Sequence, residues 1–252
     1  MALIVIKGPL CNSKPCFVPL NCKIGLATIH TPYQHTPAML CYQTIPVTQF
    51  AQNCSILWCS ETKHAAIIDP GGDLETLTKA VTERNLELQA IWLTHAHIDH
   101  AGGVAELAAK LNLPIIGPHV GDQFWIDRLA EQSRMFNFPP SKPFTPNRWL
   151  SDGDAVQIGN CILNVRHCPG HTPGHVVFHS EEAKRAFVGD VLFVGSMGRT
   201  DFPGGDHETL IDSIRNRLWP MGNDTVFIPG HGPEGNFGQE RRNNPYVRDL
   251  QF

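Results

Sequence analysis

Short apolar runs broken by turn residues dominate the chain from Leu40 onward. Tyr42–Val47, Ser55–Cys59 and His64–Ile68 predict three strands, the last closed by Asp69-Pro70-Gly71-Gly72. The period then changes. Leu74, Leu77, Ala80 and Val81 share one face of a helix predicted from Asp73, as its cap, to about Asn85. Leu88–Leu93 predicts another strand, Val104–Leu111 a helix and Pro114–Gly117 a short strand. Phe124, Trp125, Leu129 and Met135 predict a helix over Asp122–Phe136 whose apolar stripe reads as core packing, and Pro139, Pro140, Pro143 and Pro146 mark a loop. A second β-rich series follows at Ala155–Ile158, Cys161–Val165, His175–Phe178 and Arg185–Val188, then a helix at about Glu208–Trp219 and a strand at Thr225–Ile228. Strands followed by a helix therefore occur twice, which predicts two stacked sheets with helices outside them. Residues 1–38 carry neither period and read as a poorly ordered N-terminal extension, 39–236 as the folded domain and 237–252 as a C-terminal tail.

Composition narrows the classes. A chain of 252 residues, 42% hydrophobic and 17% charged, is that of a soluble globular protein with room for a sizeable core. A net charge of −4 leaves no basic footprint, so nucleic acid is not expected as a partner. No apolar run is long enough to span a bilayer, so no membrane is expected either. Met1–Lys7 is too short an apolar patch for a secretory signal and has no basic segment before it, which points to the cytoplasm. The eight cysteines form no C-x-x-C pair, and the spacing of Cys11, Cys16 and Cys22 matches no usual zinc pattern, so free thiols are expected.

Candidate chemistry enters where the strand Leu88–Leu93 delivers the chain into Thr94-His95-Ala96-His97-Ile98-Asp99-His100. Three imidazoles and a carboxylate in so short a span cannot all face one way, so a bent loop at a strand end is expected. His95 and His97 can flank one cation while Asp99 and His100 turn toward a second. Neutral imidazole nitrogens with carboxylate oxygen, and a position open to water, suit a hydrolytic metal. Two ions about 3.5–4 Å apart can share a hydroxide and hold both the attacked and the leaving atoms. The bland alternative, four polar residues on a surface loop, fits poorly with a cluster this dense after a buried-strand pattern.

The second half carries further strand-end groups. His167, His171 and His175 lie four apart in a loop broken by glycine and proline, from which one or two can reach a metal. Asp190 ends the run Ala186–Val188 where it could bridge two cations, and His231 ends Val226–Ile228 within Pro229-Gly230-His231-Gly232-Pro233. Each alone is a common turn feature. Together they are not.

Thr94–His100, the loop to His171, Gly189-Asp190 and His231 together resemble the five-part metal signature of metallo-β-lactamase-fold hydrolases, over about residues 40–236. The resemblance implies an α+β, four-layer αβ/βα sandwich of two mixed sheets with helices outside and a dinuclear site at one edge. Gly189–Phe193, Gly198–Phe202 and Pro229–Pro233 are similar to glyoxalase II, or hydroxyacylglutathione hydrolase, especially its compact single-domain bacterial relatives. Carried over residue by residue, it implies His95, His97 and His171 at one metal and Asp99, His100 and His231 at the other, with Asp190 bridging. Asp69 and His175 match positions that support the ligands, with His167 a third candidate. The implied cofactor is a pair of divalent ions, zinc first, with iron or manganese compatible with the same donors. The implied partner is a small-molecule thioester, glutathione-derived, opened by a metal-bridging hydroxide that Asp99 and Asp190 hold in place. Arg199 stands for the family's substrate-binding Lys and is expected to bind a substrate carboxylate or carbonyl. The Tyr that commonly follows the last His is missing, and 21 residues follow His231 where full-length members carry a helical glutathione-binding domain.

Rival readings remain. Gly198-Arg199-Thr200-Asp201-Phe202 also resembles persulfide dioxygenases, which use a single iron, whereas the intact second ligand set argues for hydrolysis. β-Lactamases with two zincs commonly place Cys where Asp190 stands, and a nuclease would show a basic groove. A metal-bound but inert interaction module is the non-enzyme alternative.

Overall fold

The structure is a computed structural model that describes residues 38–249. The extension read at residues 1–38, with Cys11, Cys16 and Cys22, lies outside the described residues up to Pro37.

Five strands, β1 (Leu40–Val47), β2 (Gln52–Cys59), β3 (His64–Ile68), β4 (Glu87–Trp92) and β5 (Ile115–Ile116), form one mixed sheet in that order. β1, β2 and β3 pair antiparallel, while β3, β4 and β5 run parallel. Successive side chains leave a strand on opposite faces. Ile56, Ile67 and Ile91 accordingly pack under helices α1 (Leu74–Glu83), α2 (Ile98–Ala101), α3 (Val104–Leu111), α4 (Gln123–Asp127) and α5 (Leu129–Met135), through Leu77, Leu107, Ile126 and Leu129. Leu57, Ala66, Ile68 and Trp92 face the other way, into the space between the sheets.

The second sheet contains β6 (Ala155–Ile158), β7 (Cys161–His167), β8 (Val176–Ser180), β9 (Arg185–Gly189), β12 (Val226–Pro229) and β13 (Gly235–Asn236), in the order β13-β12-β9-β8-β7-β6. A small hairpin, β10 (Leu192–Phe193) with β11 (Ser196–Met197), stands apart from it. Phe178, Phe187, Leu163 and Ile228 meet the first sheet, and Trp92 stacks on Phe178 with ring centroids 5.3 Å apart. Each such fully buried side chain contributes about 1.5–3 kcal/mol. Val177, Ala186, Val188 and Phe227 face outward under α6 (His207–Ser213) and α7 (Phe237–Asn243). This is the four-layer sandwich expected.

Several local expectations shift. Asp73 does precede α1, but its backbone is left-handed (φ 51°) and its carboxylate accepts the Thr48 N–H at 2.7 Å instead of capping the helix. The helix expected over Asp122–Phe136 is interrupted at Arg128, so Trp125 and Ile126 can pack inward from α4 while α5 turns Gln132 toward the metal loop. The helix expected to reach Trp219 ends at Ser213 and continues as a wider turn over Ile214–Leu218. Residues read as a tail include α7, whose Phe237, with Val247 after it, is fully buried.

The pairings place the site. β3 and β4 are parallel, as are β9 and β12, so the loops that follow these strands leave at shared edges. Thr94 O accepts the Val176 N–H at 2.8 Å, and Gly230 N–H donates to Gly189 O at 2.8 Å. Asn53 in β2 reaches the second sheet: its N–H donates to Gly230 O at 2.7 Å and its side-chain amide to Pro229 O and Gly232 O.

Candidate metal centre

Asp69, just past β3, anchors the loop after β4. Its carboxylate accepts the Thr94 N–H at 2.7 Å, the Thr94 hydroxyl at 2.6 Å and the His100 Nδ1–H at 2.9 Å. With that hydroxyl proton given to Asp69, the Thr94 oxygen is left as acceptor for His95 Nδ1–H at 3.0 Å. His171 Nδ1–H donates to the Arg199 carbonyl at 2.7 Å and His231 Nδ1–H to the Phe50 carbonyl at 3.2 Å. Such contacts fix the ring tautomer and leave the opposite nitrogen as a lone-pair donor. His95, His100, His171 and His231 thus all present Nε2 to one region.

The expected bent loop contains one turn of helix, α2, with His97 at its start and Asp99 and His100 inside it. That turn separates the two directions. Donor atoms of His95, His97 and His171 lie within 4.8 Å of one another, as do those of Asp99, His100 and His231. His97 Nδ1 is 3.0 Å from His171 Nε2, and Asp99 Oδ2 is 3.1 Å from His231 Nε2. Asp190 stands between the sets, with Oδ1 3.3 Å from His100 Nε2 and Oδ2 3.6 Å from His171 Nε2 and 3.7 Å from His231 Nε2. A third grouping, Asp69 with His95 and His100, also has its donor atoms within 4.8 Å. Its Asp69 carboxylate is already engaged in the hydrogen bonds above.

These residues fit divalent cations on grounds internal to the structure. His95 Nε2, His100 Nε2 and Asp190 Oδ1 are buried and lack a hydrogen-bond partner. An unsatisfied buried polar atom costs about 1–3 kcal/mol, and three converging ones mark a place for a shared ligand. Space is also reserved there. A Cβ on Gly230 would collide with Asp190 Oδ1 and the His100 ring. Gly189 has φ +49°, and a Cβ on it would come within 2.7 Å of the His175 ring and the Thr94 hydroxyl.

Burial, then the neighbouring imidazoles, holds His95 and His97 well below the usual histidine range, so both are neutral donors near pH 7. Burial acts the same way on His100, but Asp190 and Asp99 outweigh it and raise that ring well above the range. Burial disfavours charge on Asp190, yet His100, His171 and His231 reverse this and keep the carboxyl ionised. The Asp190 carboxylate remains negative between the neutral rings of His95 and His97 and the His100 ring, whose proton Asp190 and Asp99 hold.

His175 lies beside the converging donors: its Nε2 accepts the Asp190 N–H at 3.0 Å, and its ring stacks on His95 at 4.6 Å. His167 lies elsewhere, with Nε2 2.9 Å from Pro173 O and its ring stacked on His119 at 4.1 Å. Arg199 lines the cavity above the site, but its guanidinium is held by Asp201 through bonds of 2.7 and 2.6 Å and lies 4.1 Å from the Phe202 ring centre.

Sequence reasoning missed three supports. Asp122 is fully buried and its carboxylate accepts from Ala96 N–H (3.0 Å), Thr172 Oγ1 (2.9 Å) and Gly174 N–H (2.6 Å), tying the two histidine loops together. Burial nonetheless pushes its carboxyl up to about 7. Gln132 accepts the Ile98 N–H at 2.9 Å and donates to Ala96 O and Trp125 O. Asn53 holds the His231 loop. Asp122 has the look of a helix start, and no spacing rule singles out Gln132 or Asn53.

Fold and site together define a class. The chain belongs to the metallo-β-lactamase superfamily, whose family model matches residues 47–231. It is similar to the hydroxyacylglutathione hydrolase GloC of Haemophilus influenzae, 46% identical over 206 residues that span 81% of this chain and 97% of that protein. It is also similar to the mitochondrial persulfide dioxygenase ETHE1 of Bos taurus, 32% identical over 192 residues, 73% of this chain and 67% of that one. Of solved structures, the B3 metallo-β-lactamase BLEG-1 matches with a TM-score of 0.76 at 35% identity, over 82% of this chain and 99% of that one. TTHA1623 in a di-iron-bound form matches with a TM-score of 0.74 at 36% identity, over 81% and 100%.

Proposed function

We propose that this protein is a dinuclear metal-dependent hydrolase of small thioesters of the hydroxyacylglutathione type. The observation that carries the reading is the convergence of two complete donor sets on one shared carboxylate, Asp190, with His95 Nε2, His100 Nε2 and Asp190 Oδ1 unpaired. His95, His97 and His171 would hold one ion and Asp99, His100 and His231 the other, with Asp190 serving both. Divalent cations held by these residues would supply Lewis acidity and a bound water acidic enough to serve near neutral pH. Zinc suits these nitrogen and oxygen donors, and so does iron.

The chain's own groups do the rest. Asp69 and Thr94 fix the tautomers of His100 and His95, and His175 fixes the backbone of Asp190. Asp99 Oδ2, beside His231 Nε2, could accept a hydrogen bond that aims a nucleophile, with holding the ion its first role. The similarity to GloC along nearly its whole length supports a thioester as substrate. The test is hydrolysis of S-lactoylglutathione beside other thioesters, with metal analysis of the same sample. About two metals per chain with thioester turnover is the expected result, and a fully loaded protein that opens no thioester would sink the reading.

The similarity to ETHE1 and the Gly198–Phe202 segment favour a second reading, a persulfide dioxygenase with one iron. Oxygen uptake with glutathione persulfide by a protein holding one iron would select it. The buried Asp99 and His100 of the second set weigh against it.

A further inference from the structure

Two walls enclose the cavity over the site, about 570 Å³. One is aromatic: Trp125 and Phe202 meet the His97 ring edge-on at 4.7 and 5.3 Å, Phe136 packs on Phe202 at 6.3 Å, and Phe50 lies 6.2 Å from Phe136. The other is the β10–β11 hairpin, which offers Phe193, Ser196 and Met197 to the cavity and sets the Phe193 ring 6.2 Å from that of His231. Its ladder is only two residue pairs long, Leu192 with Met197 and Phe193 with Ser196. An isolated two-stranded hairpin is marginally stable at best in water, so other contacts must fix this one. Its root is fixed at the site: the chain leaves Asp190 and returns at Gly198, whose N–H donates to Val191 O at 3.4 Å and where a Cβ would collide with Asp190 O. Its tip is fixed from behind, by α7. Glu240 Oε2 accepts the Gly195 N–H and the Asn244 side-chain amide, each at 2.8 Å, and the same amide donates to Ser196 O at 3.0 Å. Glu240 and Asn244 are both buried, where polar side chains are costly unless their partners stay in place. The helix that carries Glu240 is itself anchored by Phe237, fully buried and stacked on Phe227 at 5.4 Å.

Resting on the thioester reading above, we propose that Glu240, with Asn244, is a positioning residue for the substrate: through Gly195 and Ser196 it holds the hairpin as a preset wall against which the thioester binds. Both side chains lie behind the hairpin and outside the cavity lining, so their effect on substrate passes through Phe193 and Met197. The apparent dissociation constant of a ligand rises by the inverse of the fraction of protein in the binding-competent form. A tip freed to spend about nine-tenths of its time away from the wall position therefore raises KM about tenfold. Saturating substrate selects the wall position again, so kcat changes little. The root at Gly198 does not depend on the clamp, so Asp190 keeps its place and the metals stay.

E240L removes the acceptor, and E240Q keeps one. In the metal-loaded full chain, E240L is expected to raise KM for S-lactoylglutathione about tenfold with kcat and metal content little changed, and E240Q to keep the wild-type KM. Hydrogen exchange read by mass spectrometry should show residues 192–197 opening about tenfold more often in E240L than in the wild type or E240Q. An unchanged KM in folded, metal-loaded E240L overturns the proposal and leaves the hydrolase reading intact. A fall in kcat that added metal restores also overturns it, because the clamp would then act on the ions and not on the wall. Should E240L fail to fold, the wild-type protein decides: hairpin amides as protected as those of α7 uphold the clamp, and a freely exchanging tip overturns it. If the loaded wild type opens no thioester, the hydrolase reading fails by itself, and the exchange contrast between E240L and E240Q still decides whether Glu240 holds the wall.

Discussion

Asp69 shows how a residue that need touch no cation can govern the site. It accepts three hydrogen bonds that set the direction of the Thr94 loop and the tautomer of His100. In D69N the amide must present a donor where two donors now converge, so His100 loses its fixed orientation. Loss of such support costs roughly 10–100-fold in metal affinity or activity, which metal titration with a chromophoric chelator would measure; unchanged affinity would contradict the role. Asp122 acts on backbone instead. D122A leaves the Ala96 and Gly174 N–H groups unpaired in the interior and is expected to cost at least about 2 kcal/mol in urea unfolding. At this scale the donor types were readable in the sequence, because three histidines and an aspartate stand together within Thr94–His100. Arg199 was not. Its pairing with Asp201 two residues on is a matter of rotamer, and it removes the free cation expected for substrate.

Elements carry the donor groups to one place, and glycine permits their approach. The β12 end passes so close to Asp190 and His100 that Gly230 has no room for a Cβ. G230A should therefore displace the Asp190 carboxylate, lowering metal stoichiometry together with stability by about 1–3 kcal/mol. Thermal unfolding with and without metal separates the two effects, and a variant with wild-type metal content would count against the close approach. Strand and helix positions were legible where a period persists, as in α3, found at Val104–Leu111 as predicted. They were less so where tertiary contacts cut a period short: α4 and α5 break at Arg128 to serve Trp125 and Gln132, and the two-residue strands β10, β11 and β13 have no period to read.

For the whole molecule, metal and fold are linked. Cations that bind only the assembled site add about 2.7 kcal/mol of stability at a concentration one hundred times the dissociation constant. Chelation should therefore lower the melting temperature, and restored metal should recover it; a melting temperature indifferent to chelation would deny a preformed site. Acid should act on the metal-free protein with a definite sign. Burial holds His95, His97, His171 and His175 below their unfolded value of about 6.5. Below that pH the unfolded chain binds more protons at these rings, so the stability they contribute, present above about 6.5, is lost as pH falls. Asp122, raised to about 7, takes up a proton in the folded state over the same window and opposes this, as the raised His100 and His231 do in its upper part. His100, raised, contributes stability below about 6.5 that is lost as pH rises through its folded value. Urea unfolding of chelated protein between pH 7 and 5 should show a net fall.

The amino-acid sequence alone determined the chemical inventory and its punctuation: which donors exist, that each follows an apolar run, and that glycine or proline ends the run. Those are local properties, set by side-chain type and by periods of two or 3.6 residues. Only the tertiary structure decided which donors share a cation site, because that depends on β3 lying parallel to β4 and β9 to β12. It likewise decided that Phe50, Trp125, Phe136 and Phe202, distant in the chain, form one wall. Such contacts are made by packing between layers, where no short-range period reaches.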